Sequence, residues 1–129
     1  MREVILFLCP HNVAKSLIAA NYFNLRARQS GLAIEADSAG TEPEKAVPQT
    51  VIERLKREGI DVSQYRPRQV RAEELATVKR IISMGCSAES LGISEERIEQ
   101  WLDVPPFSQD PDGACEVIRG HVDQLISAY

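Results

Sequence analysis

The chain has no C-x-x-C pair, no long apolar run and no excess of positive charge, and each absence removes a class of protein. Its three cysteines, Cys9, Cys86 and Cys115, are an odd number without paired histidines, so neither a disulfide framework nor a zinc or other metal site is expected. The apolar run Val4–Leu8 is far too short to cross a bilayer and has no signal-peptide flank or cleavage pattern. The expectation is a cytoplasmic protein without a membrane partner, whose thiols are free. A net charge of −4 argues against a nucleic-acid partner. No internal repeat, low-complexity tract or long linker divides the 129 residues, so residues 1–129 read as one domain. A hydrophobic fraction of 43% is enough to give that domain a real core.

What is present is an alternation of strand-like and helix-like segments. The run at 4–8 reads as a strand buried on both faces of a parallel sheet. Ala14, Leu17, Ile18, Tyr22 and Leu25 then share one helical face, with Gly31 as a stop. A strand is expected at 33–39 and a helix between Pro48 and Gly59. A loop at 61–69 leads to a short helix at 71–76, and further strands are expected at 78–84 and 97–102. The proline-rich stretch 104–111 reads as irregular, and an amphipathic helix at 114–126 closes the chain. The alternation predicts an α/β fold with a parallel sheet and helices on both faces. Ligands of such folds gather at the carboxyl ends of the strands, where Cys9, Ser38 and Cys86 all fall.

The segment following the first strand, CPHNVAKS, runs from Cys9 to Ser16. A loop between a strand and a helix presents backbone N–H groups, and the positive end of the helix, to one concave space. Pro10, His11, Asn12, Val13, Ala14, Lys15 and Ser16 would then cradle an oxyanion, and the same field would favour the Cys9 thiolate as nucleophile. Ser16 would hydrogen-bond the sulfur and Asn12 would hold the loop in shape. The plainer reading is that Cys9 is a small buried residue ending a strand.

The pattern Cys-x-x-Asn-x-x-basic-Ser resembles the phosphate-binding loop of the low-molecular-weight protein tyrosine phosphatase family, which includes thioredoxin-coupled and mycothiol-linked arsenate reductases. The resemblance continues in DSAGTEP at 37–43, VIERLKREGIDVS at 51–63 and YRPRQ at 65–69. ISMGC at 82–86 is similar to the corresponding strand end of actinobacterial-type arsenate reductases. The resemblance implies a doubly wound four-stranded parallel sheet and a cysteine thiolate that attacks phosphate or arsenate. It also implies a loop arginine that clamps the oxyanion, an Asp-Pro aspartate that protonates the leaving group, and no metal or other cofactor. Ser38, with Thr41, would support the loop.

Three positions depart from that pattern. Lys15 stands where the arginine is expected, and a lysine is a point charge without the planar fork that binds two phosphoryl oxygens at once. His11 replaces a glycine, which raises the question of a positive φ there and of a titratable charge beside the thiolate. Pro106 and Phe107 fall where Asp-Pro is expected, leaving Asp110 of the pair Asp110-Pro111 as the candidate acid and Asp103 as a weaker one. Cys86 matches the first thiol of a reductase relay, but Ser90 stands where the second is expected. Cys115 and His121 fall on or beside the apolar face of the last helix and read as packed, and Arg66, Arg68 and Arg71 as a solvated basic face.

The leading expectation is a phosphatase acting on a phosphoprotein or small phosphate ester through a Cys9 thiophosphate. The second is an arsenate reductase regenerated by thioredoxin or a low-molecular-weight thiol. The third is a module that binds phosphate, sulfate or arsenate without efficient chemistry.

Overall fold

The computed structural model describes residues 3–129. In chain order its elements are β1 (Val4–Leu8), α1 (Lys15–Gln29), β2 (Glu35–Ala39), α2 (Gln49–Arg57), α3 (Ala72–Thr77), β3 (Arg80–Ser83), α4 (Ala88–Leu91), β4 (Ile98–Gln100) and α5 (Pro111–Ser127). The strands form one sheet in the order β2-β1-β3-β4, with every pairing parallel. β1 lies inside the sheet, Leu8 standing opposite Ala39 on one side and Ser83 on the other.

That central position explains why β1 is apolar at every residue. Side chains alternate across a strand, so Ile5 and Phe7 face one side while Leu6 and Leu8 face the other, and all four are fully buried. Ile5 and Phe7 join a core with Ile18 and Phe23 of α1, Leu55 of α2 and Ile118 of α5. Leu6 and Leu8 pack with Leu75 of α3, Ile81 of β3 and Cys86. Helices therefore cover both faces of a doubly wound four-stranded parallel sheet.

The differences from expectation lie at element ends. The segment expected as a strand at 78–84 is shorter: Val78 caps α3, while the Lys79 and Met84 amides still bond the Val4 and Leu8 carbonyls just outside the two ends of β3. Residues 95–97 form a 3-10 turn before β4. α4 is too short to show any periodicity, and its signals are a cap by Ser87 and a left-handed Gly92. Pro111 belongs to α5, not to the irregular stretch, since a proline's fixed φ and missing N–H suit a first helical turn. Among the described residues no helix is long and apolar enough to cross a membrane.

Candidate active site

From β1 the chain turns to β2 on one side, and β3 lies on the other, which makes the carboxyl end of β1 the switch point of the sheet. Cys9 sits there, beside a cleft of about 520 Å3. His11, Val13, Ala14 and Lys15 of the loop line it, together with Met84 and Gly85 beyond β3. Pro48 and Val51 at the start of α2, and Pro106 and Phe107 before α5, add apolar walls. A hollow of about 690 Å3 adjoins it through Thr50 and Phe107, lined by Glu53, Arg54, Lys56 and Arg57 but by no nucleophile.

Ser16 aims two groups at the sulfur: its Oγ lies 3.0 Å and its backbone N 3.5 Å from Cys9 Sγ. α1 begins at this point with no side-chain cap and no acidic residue in its first turn. Its first N–H groups, with the positive end of the helix dipole, are left to an anion at the cleft.

Behind Ser16 stands a chain of hydrogen bonds with a fixed direction. The backbone N–H of Arg68 donates to Asn12 Oδ1 at 3.0 Å, and an N–H can only donate, so the amide orientation of Asn12 is settled. Asn12 Nδ2 then donates to Ser16 Oγ at 2.9 Å, which leaves the Ser16 hydroxyl hydrogen for the sulfur. Tyr65 Oη donates to Asn12 Oδ1 at 2.8 Å and lies 2.8 Å from Ser38 Oγ, which supplies the next hydrogen. The sequence Ser38, Tyr65, Asn12, Ser16, Cys9 is thus polarised toward the sulfur, each bond strengthening the next. Burial pushes the Tyr65 hydroxyl above its usual range, against the pull of its bonds to Ser38 and Asn12.

The positive φ of the loop falls on Asn12, at 55°, and not on His11. Asparagine tolerates that region, and its side chain is held by the partners just described. His11 instead places Nδ1 3.1 Å from the Glu42 carbonyl oxygen. Gly40, at the end of β2, explains how the loop is packed: a Cβ there would lie 2.5 Å from the Pro10 carbonyl oxygen and 2.8 Å from that of Cys9. Arg68 is not a solvated cation, since its guanidinium grips Glu74 at 2.8 and 2.9 Å and reaches Asp37 at 3.0 Å.

A family model for low molecular weight phosphotyrosine protein phosphatases matches residues 4–101. The chain belongs to this family. Within the phosphatase family fold, the crystal structure of YfkJ from Bacillus subtilis is 27% identical, with a TM-score of 0.85 over 99% of this chain and 94% of that one. A low molecular weight protein tyrosine phosphatase from T. tengcongensis is 26% identical, with a TM-score of 0.84 over 98% of this chain and 99% of that one. A curated Halobacterium salinarum protein, named as a candidate arsenate reductase, is 27% identical over 93% of this chain and 85% of its own length.

Against that family pattern the structure places the remaining residues as follows. Asp110 does not line the cleft: it is the N-cap of α5, its Oδ1 accepting from the Gly113 amide at 3.0 Å. Asp103 is bound to His121, whose Nε2 lies 2.8 and 3.0 Å from its two oxygens, and this bond holds the carboxyl below its usual range. The His121 ring stacks on Trp101 with centroids 4.5 Å apart, and Cys115 is fully buried in α5. Cys86 lies in the core of the opposite sheet face, 3.8 Å from Thr41 Oγ1, and burial pushes its thiol up. Ser90 hydrogen-bonds Ser87 within the α4 turn. Among the described residues no group of three or more His, Cys, Asp or Glu side chains is placed to hold a metal ion. Sequence reasoning passed over Glu44 and the apolar walls, because neither belongs to the Cys9–Ser16 motif that signals the site.

Proposed function

We propose that the protein is a cysteine-dependent phosphatase that cleaves phosphate monoesters. The observation that carries this reading is the convergence of the Ser16 hydroxyl and amide on Cys9 Sγ beside the cleft at the uncapped start of α1. Hydrogen bonds of that kind stabilise a sulfur that carries charge before attack and as it leaves a thiophosphate. The loop 9–16 and Lys15 hold the phosphoryl oxygens, in the region that would also take free phosphate, sulfate or arsenate. The apolar walls suit an aryl or otherwise apolar group of a phosphoprotein or small ester. No cofactor is required by this scheme.

Lysine at position 15 limits it. One well-placed oxyanion donor contributes roughly 2.7–4 kcal/mol to a barrier, and the guanidinium fork supplies one more than an ammonium does. Lys15→Arg is therefore expected to raise kcat on p-nitrophenyl phosphate by about 100-fold, the lower end of that scale. Cys9→Ser is expected to abolish turnover, and activity equal to wild type would end the enzyme reading. Phosphate binding without turnover in wild type would favour the binding module.

A second reading, arsenate reduction, draws on the Halobacterium salinarum relative and on Cys86, which follows the cleft-lining Gly85. It requires Cys9 and Cys86 to give two electrons to arsenate, which leaves as arsenite while they form a disulfide, and thioredoxin or a small thiol to return those electrons. Burial that pushes the Cys86 thiol up opposes it, because a protonated thiol attacks slowly. Arsenate-dependent loss of free thiol at both cysteines tests it.

A further inference from the structure

Turnover of ordinary phosphate esters needs a proton for the leaving oxygen, and the site as described has no assigned donor. Asp110 is committed to its helix cap and Asp103 to His121. The proton-bearing side chains that line the cleft besides Cys9 are His11, Lys15, Glu44, Thr50 and Ser108. Hydroxyl groups are too weakly acidic to act at neutral pH, and the Lys15 ammonium is held by its role as counter-charge to the phosphoryl oxygens. His11 belongs to the oxyanion loop itself, with Nδ1 bound to the Glu42 carbonyl. His11 stands two residues from the attacking sulfur on the same loop, whereas an in-line leaving oxygen lies opposite that sulfur. Glu44 is the carboxyl group that remains.

Its position is set by the backbone. The amide of Glu42 donates to the Pro10 carbonyl at 2.7 Å and that of Glu44 to the His11 carbonyl at 3.1 Å. Residues 42–44 therefore run along the oxyanion loop as a second layer, and Glu44 joins the cleft lining from outside the loop that holds the nucleophile. In-line displacement puts the leaving oxygen opposite the attacking sulfur, so a donor has to come from a segment other than the Cys9 loop.

We propose that Glu44 is the acid and base of the phosphoryl transfer, a role that rests on the phosphatase reading above. In the first step the Cys9 thiolate forms the S–P bond while the P–O bond breaks. The electron pair goes to the leaving oxygen, which takes the Glu44 proton and departs as the alcohol or phenol. In the second step water attacks phosphorus and gives its proton to the Glu44 carboxylate. The S–P bond then breaks, releasing inorganic phosphate, the Cys9 thiolate and a protonated Glu44.

The test compares phenyl phosphate, a poor leaving group, with p-nitrophenyl phosphate, a good one, in wild type, Glu44→Gln, Asp110→Asn and Cys9→Ser. Glu44→Gln should lose on the order of 100- to 10,000-fold in kcat on phenyl phosphate, the usual range for a general acid. It should lose far less on p-nitrophenyl phosphate, and its initial burst of phenol should slow in step. Equal losses on both substrates, or none on phenyl phosphate, would overturn the proposal. So would a loss on phenyl phosphate that follows Asp110→Asn instead. Cys9→Ser activity equal to wild type would sink the phosphatase reading itself, whatever Glu44→Gln does.

Discussion

Asn12 shows at the residue scale how one side chain can serve both the backbone and the chemistry. It holds φ at 55°, accepts from Tyr65 and from the Arg68 amide, and donates to Ser16. Replacing it by alanine leaves the Arg68 N–H without its partner, at about 1–3 kcal/mol. It also puts an ordinary Cβ in the left-handed region, at about 1–2 kcal/mol more. Glycine incurs the first cost but not the second. Denaturant unfolding should therefore rank wild type above Asn12→Gly, and Asn12→Gly above Asn12→Ala by about 1 kcal/mol. Equal stability of the two variants would show that the backbone conformation costs nothing there. The spacing of Cys9, Asn12 and Ser16 is visible in the chain, whereas the partners of Asn12 lie 53 and 56 residues away and are not. Sequence points to His11 for the positive φ because a glycine is the usual signal, but the tertiary partners of a loop decide which of its residues carries the strain.

At the scale of elements, Asp110-Pro111 carried two meanings in sequence. An aspartate before a proline is a loop acid by resemblance, but it is also an N-cap followed by a proline in the first helical turn. The structure shows the second, and α5 starts there. Asparagine caps as well as aspartate does, so Asp110→Asn should keep the melting temperature, while Asp110→Ala should cost about 0.5–2 kcal/mol. A thermal melt in which both variants fall together would show that charge, and not capping, matters at this position. The strands were legible because β1 is buried on both faces and reads as unbroken apolar sequence. The ends of β3 and β4, and all of α4, were not, since they are set by turns such as the one in which Ser83 Oγ accepts from the Cys86 amide at 2.8 Å. Gly40 belongs to this scale too: it is the point where β2 passes against the carbonyls of the Cys9 loop.

For the whole molecule, the site depends on segments that meet only in the fold, and Arg68 joins three of them. Its amide holds Asn12, and its guanidinium holds Asp37 in β2 and Glu74 in α3. Burial pushes the Glu74 carboxyl up, but its bonds to the Arg68 guanidinium and the Arg71 amide outweigh that and hold it below its usual range. A carboxyl whose folded pKa is depressed contributes stability that is present above its unfolded value, about 4.3 for glutamate, and is lost as pH falls through the folded value. Acid should therefore weaken the clamp on Arg68 and, with it, the support of Asn12 behind the nucleophile. Glu74→Gln removes the titration but keeps a side chain of the same shape. Urea unfolding at neutral pH should find Glu74→Gln less stable than wild type, and the gap should narrow as pH is lowered below about 4.3, where wild type loses what the variant never had. A gap that stays constant with pH would mean that the charge of Glu74 contributes nothing to folding, and that the clamp acts through packing alone.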